Sequence, residues 1–441
     1  MSAGVASGGR GYAAAVRALE ARGRFGIRLG LGRTRALLHE LGDPQLAFRG
    51  ALVAGTNGKG SVLALAGGVL RAAGIRAGET PKPHLVTYRE RLAIDGQPVD
   101  PPTFARLVDE VMPAADRVAR RLGEPTEFEL LTALIFRWFA EQGVRVALVE
   151  VGLGGRLDAT HAWDGGVAVV TNVSLDHMDR LGSTVAAIAR EKAAIIERGD
   201  LAVTGADGDA LAVIRRRARR MGAQLREVSP APLLGWDRDG IEVDLPRLGR
   251  TRVGLRGRHQ AANVAVADAV LDALAEAGIA TTDEEARRRG YAAATWPGRL
   301  ELLRAGDRDV LLDGAHNPAG ARALARALSE LGVHRFPLVF GAMRGKRVAA
   351  VLRALAPLEP RPVFTAVADP HAHLPDALLR TWRRIAPHLR GTEAGTTAPT
   401  PDQALQLAAA LGPPAGPVVV AGSLYLVGAI RATLTGEQPD P

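Results

Sequence analysis

Short, nearly continuous runs of Val, Ala and Leu punctuate longer stretches in which apolar residues return every three or four positions. The runs Ala51–Ala54, Val144–Val151 and Gly166–Thr171 have the pattern of strands buried on both faces of a parallel sheet. The 3.6-residue spacing predicts helices over 11–24, Thr34–Leu41, Val62–Ala73, Thr103–Leu122, Leu130–Gln142, Ser183–Arg198 and Ala261–Ala277. Ser183 or Thr184 can cap the sixth of these, and Gly199 can end it. Residues 201–258 are less regular. Their Pro and Gly turns, with short β patterns at Gly240–Leu245 and Thr251–Leu255, predict an accessory β segment.

Trp296-Pro-Gly-Arg299 breaks the alternation and is expected to divide the chain into 1–297 and 298–441. Beyond it, strands near Val310–Leu312, Pro337–Phe340, Pro362–Ala366 and Pro417–Ala421 alternate with helices near Pro318–Leu331, Arg347–Leu355, Leu374–Ile385 and Pro401–Leu411. A further helix follows Ser423. The expected fold is α/β, with a mainly parallel sheet first and a smaller α/β unit after it.

The chain's 441 residues suit two such units better than one core. The net charge of +9 could attract nucleic acid or small polyanions such as ATP. Aromatics are only 4% and do not interleave with the arginines, so small anions are favoured over nucleic acid. The absence of cysteine excludes disulfides, thiol catalysis and Cys-zinc sites, and fits a cytoplasmic protein. No apolar run approaches a membrane span, and no membrane partner is expected.

The chemistry gathers at predicted strand ends, where open α/β sheets bind ligands. Gly55-Thr-Asn-Gly-Lys-Gly-Ser61 follows a buried strand and opens a helix. Backbone N–H groups, a helix N-terminus and Lys59 can cradle phosphates there. Gly60 between Lys59 and Ser61 departs from the common Gly-x-x-x-x-Gly-Lys-Ser/Thr spacing. Glu150 ends one strand, and Asn172, Asp176 and His177 follow another, so Glu150 and His177 could meet at one rim. Lys192 falls on an apolar helical stripe. A lysine there can snorkel to water, pair with Glu191 or Glu150, or lose its proton through burial and accept CO2 as a carbamate. Phe128, flanked by Glu127 and Glu129, could stack on a planar ligand or fill a core. Asn263 could face a phosphate or cap its helix, and Arg299 could reach a phosphate or be a solvated linker residue.

Together these segments resemble the folylpolyglutamate synthase / dihydrofolate synthase family, within the Mur ligase superfamily. The resemblance rests on Gly55–Ser61, Pro83-His-Leu85, Phe128-Glu129 with Thr132, Glu150–Thr160, Asp176–Gly182, Glu191–Ile196, Trp296–Arg299, Asp313–Pro318 and Gly422–Gly428. It implies a Mur-ligase-like P-loop ATPase domain followed by a Rossmann-like glutamate-ligase domain. It also implies ATP-driven amide formation between L-glutamate and dihydropteroate, a (tetrahydro)folate, or both.

By motif, Asn57, Gly58, Lys59, Gly60, Ser61, Asn263, Arg299 and Asp313 are implied at the nucleotide. Ser61, Glu150, His177 and a carbamylated Lys192 are implied at Mg2+, with a monovalent cation left open. Lys59, His177 and Lys192 are then the catalytic groups. Leu29, Gly30, Leu31, Phe128, Glu129, Asp158, His316 and Ser423 are implied at the folate acceptor and glutamate.

A monofunctional folylpolyglutamate synthase, a Mur-type muropeptide ligase and a non-enzymatic ATP-binding protein are the alternatives. A monomer is expected. Lys82 stands where the family usually has serine, expected on the metal. An ammonium will not ligate Mg2+, so either water fills that place or Lys82 contacts the triphosphate.

Overall fold

A computed structural model describes residues 10–23, 30–387, 394–411 and 416–440. The first sheet contains β1 (Arg49–Ala54), β2 (Ala77–Thr80), β3 (Ala93–Ile94), β4 (Gln97–Pro98), β5 (Val146–Glu150), β6 (Gly166–Val170), β7 (Leu201–Thr204) and β8 (Gln224–Glu227). Their order is β4-β3-β2-β5-β1-β6-β7-β8, parallel except at β3 and β4. β1 lies between β5 and β6, so the loops after these three strands open into one crevice at the point where the chain switches sides.

Both faces of the sheet are covered, which is why its central strands read as unbroken apolar runs. Helices Pro101–Leu122 and Glu127–Glu141, among others, pack on one face. Lys59–Ala72, Gln260–Glu276 and Glu284–Ala293 pack on the other, beside an antiparallel sheet of β9 (Leu233–Asp237), β10 (Gly240–Leu245) and β11 (Gly249–Val253).

The third sheet has β12 (Glu301–Ala305), β13 (Arg308–Leu312), β14 (Pro337–Phe340), β15 (Arg361–Phe364), β16 (Thr396–Thr397) and β17 (Val418–Ala421). Its order is β12-β13-β17-β14-β15-β16, with only β12 antiparallel. Its two faces form separate apolar cores with the flanking helices.

Two expectations are corrected. Residues 201–227 are not accessory: β7, the helix Gly208–Met221 and β8 extend the main sheet, and the separate β element spans only Leu233–Val253. The helix expected over 183–198 is Val185–Ala193, capped by Thr184. It stops early because the Glu191 carbonyl accepts the N–H of Arg156, a donor outside the helix. The Arg217 guanidinium then takes the carbonyls of Ala194 and Ile196.

Candidate active site

The loop after β1 turns through Gly58 at φ 84°, where the Asn263 side chain approaches too closely for any Cβ. The loop is pinned to the end of β6. Asn57 N–H donates to Asn172 Oδ1 at 3.0 Å, and its carbonyl accepts from Asn172 Nδ2 and Thr171 Oγ1. Lys59 folds back, donating to the carbonyls of Gly55 at 3.1 Å and Thr56 at 3.3 Å, and lies 3.7 Å from Glu150. Ser61, in the first turn of the helix, is buried.

Glu150 is also buried, and its Oε2 accepts the backbone N–H of Lys82 at 3.0 Å. Burial raises its carboxyl pKa, opposed by Lys59 and that N–H. Lys192 is 5% exposed and donates to the Gly55 carbonyl at 2.8 Å. Burial, reinforced by the Lys59 charge, pushes its amine down to about 7. Among the described residues Lys192 neither reaches water nor pairs with a carboxylate; its amine is held on a backbone carbonyl. His177, at φ 48°, is pushed down to about 4, first by desolvation and then by Lys346, although its side chain remains 45% exposed.

A cavity of about 500 Å3 is lined by all of Asn57, Gly58, Lys59, Gly60, Ser61, Glu150, His177, Lys192, Asn263, Arg299, Asp313 and His316. Asp313 is deeply placed. Its carboxylate accepts the N–H groups of Leu300 at 3.0 Å and Ala315 at 2.9 Å, bracing the linker that carries Arg299. Burial raises its pKa, and Arg299 opposes this. Asn263 donates to Gln260 at 2.7 Å.

A second cavity, of about 530 Å3, adjoins the first at Pro83, Gly152, Leu153, His177 and His316. Its wall includes Gly30, Phe128, Glu129, Asp158 and Ser423. The Ser423 hydroxyl is buried without a hydrogen-bond partner among the described residues. Asp158 accepts from Leu153 N–H at 2.8 Å and from the Thr160 N–H and hydroxyl. Glu129 is engaged by Arg33 at 2.9 Å and by Thr126 N–H at 2.7 Å, so its carboxylate holds the wall. Leu31 does not join this cavity. It sits at the start of the helix Gly32–Glu40 and borders a separate depression near Arg35 and Arg156. Leu29 lies outside the described residues.

The Lys82 side chain turns away from the phosphate cavity, although its backbone N–H is held by Glu150 there. Its ammonium lies 4.3 Å from the Phe128 ring centroid, in the second cavity. Burial pushes it down to about 8.

The sequence reading missed the bridge that joins the two halves. Lys346, on the loop after β14, donates to Asp176 Oδ1 at 3.0 Å. Asn317 donates to Asp176 at 3.2 Å and to Asn57 at 3.1 Å, and His316 Nε2 lies 3.7 Å from Asp176. Burial alone would raise the Asp176 carboxyl, but His316, Lys346 and His177 hold it well below the usual carboxylate range.

Among the described residues, no three His, Asp or Glu side chains are grouped to hold a metal. No described helix is long and apolar enough to cross a membrane.

A phosphate loop on one sheet, facing a second α/β unit across a shared cleft, defines a Mur-type ligase. Residues 53–271 match the Mur ligase middle domain, and 298–424 match the Mur ligase glutamate ligase domain. The dihydrofolate synthase/folylpolyglutamate synthase of Bacillus subtilis is 34% identical over 81% of this chain and 85% of its own length. That of Mycobacterium tuberculosis is 36% identical over 93% and 90%. The folylpolyglutamate synthase structure from the latter organism, complexed with ADP and AMPPCP, superposes with a TM-score of 0.87 at 34% identity, covering 97% of this chain and 100% of that one. A bifunctional Yersinia pestis enzyme, complexed with AMPPNP and a manganese ion, gives 0.80 at 29% identity, covering 97% and 98%. The chain belongs to the dihydrofolate synthase/folylpolyglutamate synthase family and is an ATP-dependent ligase.

Proposed function

We propose that this ligase joins L-glutamate to dihydropteroate and to reduced folates, using ATP to activate the acceptor carboxylate. The observation that carries the reading is the meeting of two unlike cavities at His177 and His316. One is a phosphate cradle; the other is an apolar pocket walled by Phe128.

In this reading, Asn57, Gly58, Lys59, Gly60 and Ser61 hold the phosphates, and Asn263, Arg299 and Asp313 hold or frame the rest of the nucleotide. The residues fit a hard divalent cation: a buried carboxylate at Glu150, a buried hydroxyl at Ser61 and a neutral imidazole at His177. With no trio of acidic or imidazole groups among the described residues, the remaining places would fall to phosphate oxygens, water and a carbamate on Lys192. The depressed pKa of Lys192 supplies the neutral amine that CO2 needs. A magnesium ion held there would supply positive charge against the charge that builds as phosphate moves to a carboxylate, beside that of Lys59 and Arg299. A monovalent cation is left open.

Gly30, Phe128, Glu129 and Asp158 form the acceptor side. His316, Ser423 and Lys346 face the incoming glutamate, whose amine displaces phosphate from the acyl phosphate. Closure of the two halves, divided at 297/298, keeps water from that intermediate. We place the enzyme in the cytoplasm as a monomer.

The test is glutamate-dependent ADP release with dihydropteroate, tetrahydrofolate or a UDP-muramoyl peptide as acceptor. Turnover with the first two is expected. Tetrahydrofolate alone would mark a monofunctional polyglutamate synthase, and the muramoyl peptide alone would overturn the reading.

A further inference from the structure

Lys82 spans the boundary between the two cavities. Its backbone N–H is fixed on Glu150 at 3.0 Å, on the phosphate side, while its ammonium rests 4.3 Å from the Phe128 ring centroid, on the acceptor side. The segment beyond it is held rigid, because Glu90 accepts the N–H groups of Leu85, Val86 and Thr87 at 2.7–2.8 Å. The Lys82 Nζ is buried and has no hydrogen-bond partner among the described residues. Its neighbours in the cavity are already engaged. Asp158 accepts from Leu153 and Thr160, Lys346 donates to Asp176, and Arg91 Nε donates to His84 at 2.9 Å. The Asp158 and Glu150 carboxylates attract this ammonium through their charge but bond elsewhere, so its donors stay open, and a substrate carboxylate would make the stronger, charge-assisted bond.

The acceptor's chemistry says which carboxylate. One carboxylate must reach the phosphate cavity to react, while the flat ring system belongs at Phe128. Lys82 faces whatever lies between them. In dihydropteroate that part is an uncharged aminobenzoyl ring. In a folyl-glutamate it carries the α-carboxylate of the terminal glutamate. We propose that Lys82 is a specificity-determining residue that binds this non-reacting α-carboxylate, biasing the enzyme towards acceptors that already carry glutamate. The inference rests on the ligase reading above.

The experiment compares two acceptors on the full chain with MgATP and L-glutamate: tetrahydropteroyl-glutamate, and tetrahydropteroyl-γ-aminobutyrate, which keeps the reacting carboxylate but lacks the α-carboxylate. In the wild type, the ratio of their kcat/KM values is expected to be about tenfold or more, the worth of a charged hydrogen bond. In Lys82→Met the ratio should fall towards one, and Lys82→Arg should keep most of it. Lys82→Gln serves the same purpose if the methionine variant does not fold by circular dichroism. An unchanged ratio in the neutral variants overturns the inference. So does a rise in KM for L-glutamate with the acceptor ratio intact, since the ammonium would then serve the other substrate. Turnover with the ratio unmoved refutes only the role of Lys82. Failure of the wild type with every folate-type acceptor refutes the ligase reading, and this inference falls with it.

Discussion

Lys192→Met separates a lysine kept for function from one kept for stability. The amine is 5% exposed and held at about 7 instead of 10.5. At 1.36 kcal/mol per pKa unit, its surroundings disfavour the ammonium by about 5 kcal/mol at low pH. Methionine has a similar length, carries no charge and fills irregular space. The Gly55 carbonyl that Lys192 leaves still accepts from Lys59 at 3.1 Å, so no orphaned acceptor is created. After allowing about 1–3 kcal/mol for the lost hydrogen bond to a charged donor and for imperfect packing, a net gain of about 2–4 kcal/mol is expected below pH 7.

The sign follows from linkage. Between pH 7 and 10.5 the unfolded chain binds the proton that the folded chain does not, so wild-type stability rises with pH there. The advantage of the methionine variant should therefore be fully present at pH 6 and shrink towards pH 10. The assay is chemical unfolding in CO2-depleted buffer at several pH values, alongside ligase turnover at ordinary CO2. Greater stability at acidic pH with loss of turnover is expected. A variant less stable than wild type at pH 6, or one that still turns over, would refute the reasoning.

Two further outcomes follow. Gly60→Ala places a Cβ 2.6–2.8 Å from the Trp296 indole, so either the phosphate loop or the linker must shift; kcat/KM for ATP should fall at least about tenfold while acceptor KM changes less, read by steady-state kinetics. His177, held at about 4, is neutral when folded but takes a proton when unfolded below about 6.5, so stability should decline as pH falls through that window, and His177→Gln should flatten the decline in acid unfolding curves.

The strand ends and the phosphate loop were legible because buried parallel strands write themselves as apolar runs, and because glycine, lysine and hydroxyl fall at fixed offsets after them. The stretch 201–227 was not legible. Its helix reads Gly-Asp-Ala-Leu-Ala-Val-Ile-Arg-Arg-Arg-Ala-Arg-Arg-Met, with a narrow apolar face, and β8 is an edge strand with polar ends. Lys346 stood in a loop with no local pattern, and only the fold brings it to Asp176. Leu31 failed for the complementary reason: its neighbour Gly30 faces the cavity, and the turn into the next helix carries Leu31 away. The side to which Lys82 points is a tertiary fact that its departure from the usual serine could flag but not settle.

The contact between Gly60 and Trp296 has a practical consequence for protein engineering. The linker tryptophan is fitted to the first half, yet Asp313 clamps the next turn of the same linker from the second half. A chimera joined just after residue 297 keeps both fittings whole: the tryptophan stays on its native glycine, and Leu300 arrives from the donor together with the Asp313 that clamps it. Grafts of a foreign C-terminal half should therefore work best when joined between Trp296 and Leu300, and worst when the junction falls between Leu300 and Asp313 and mixes the two sides of the clamp.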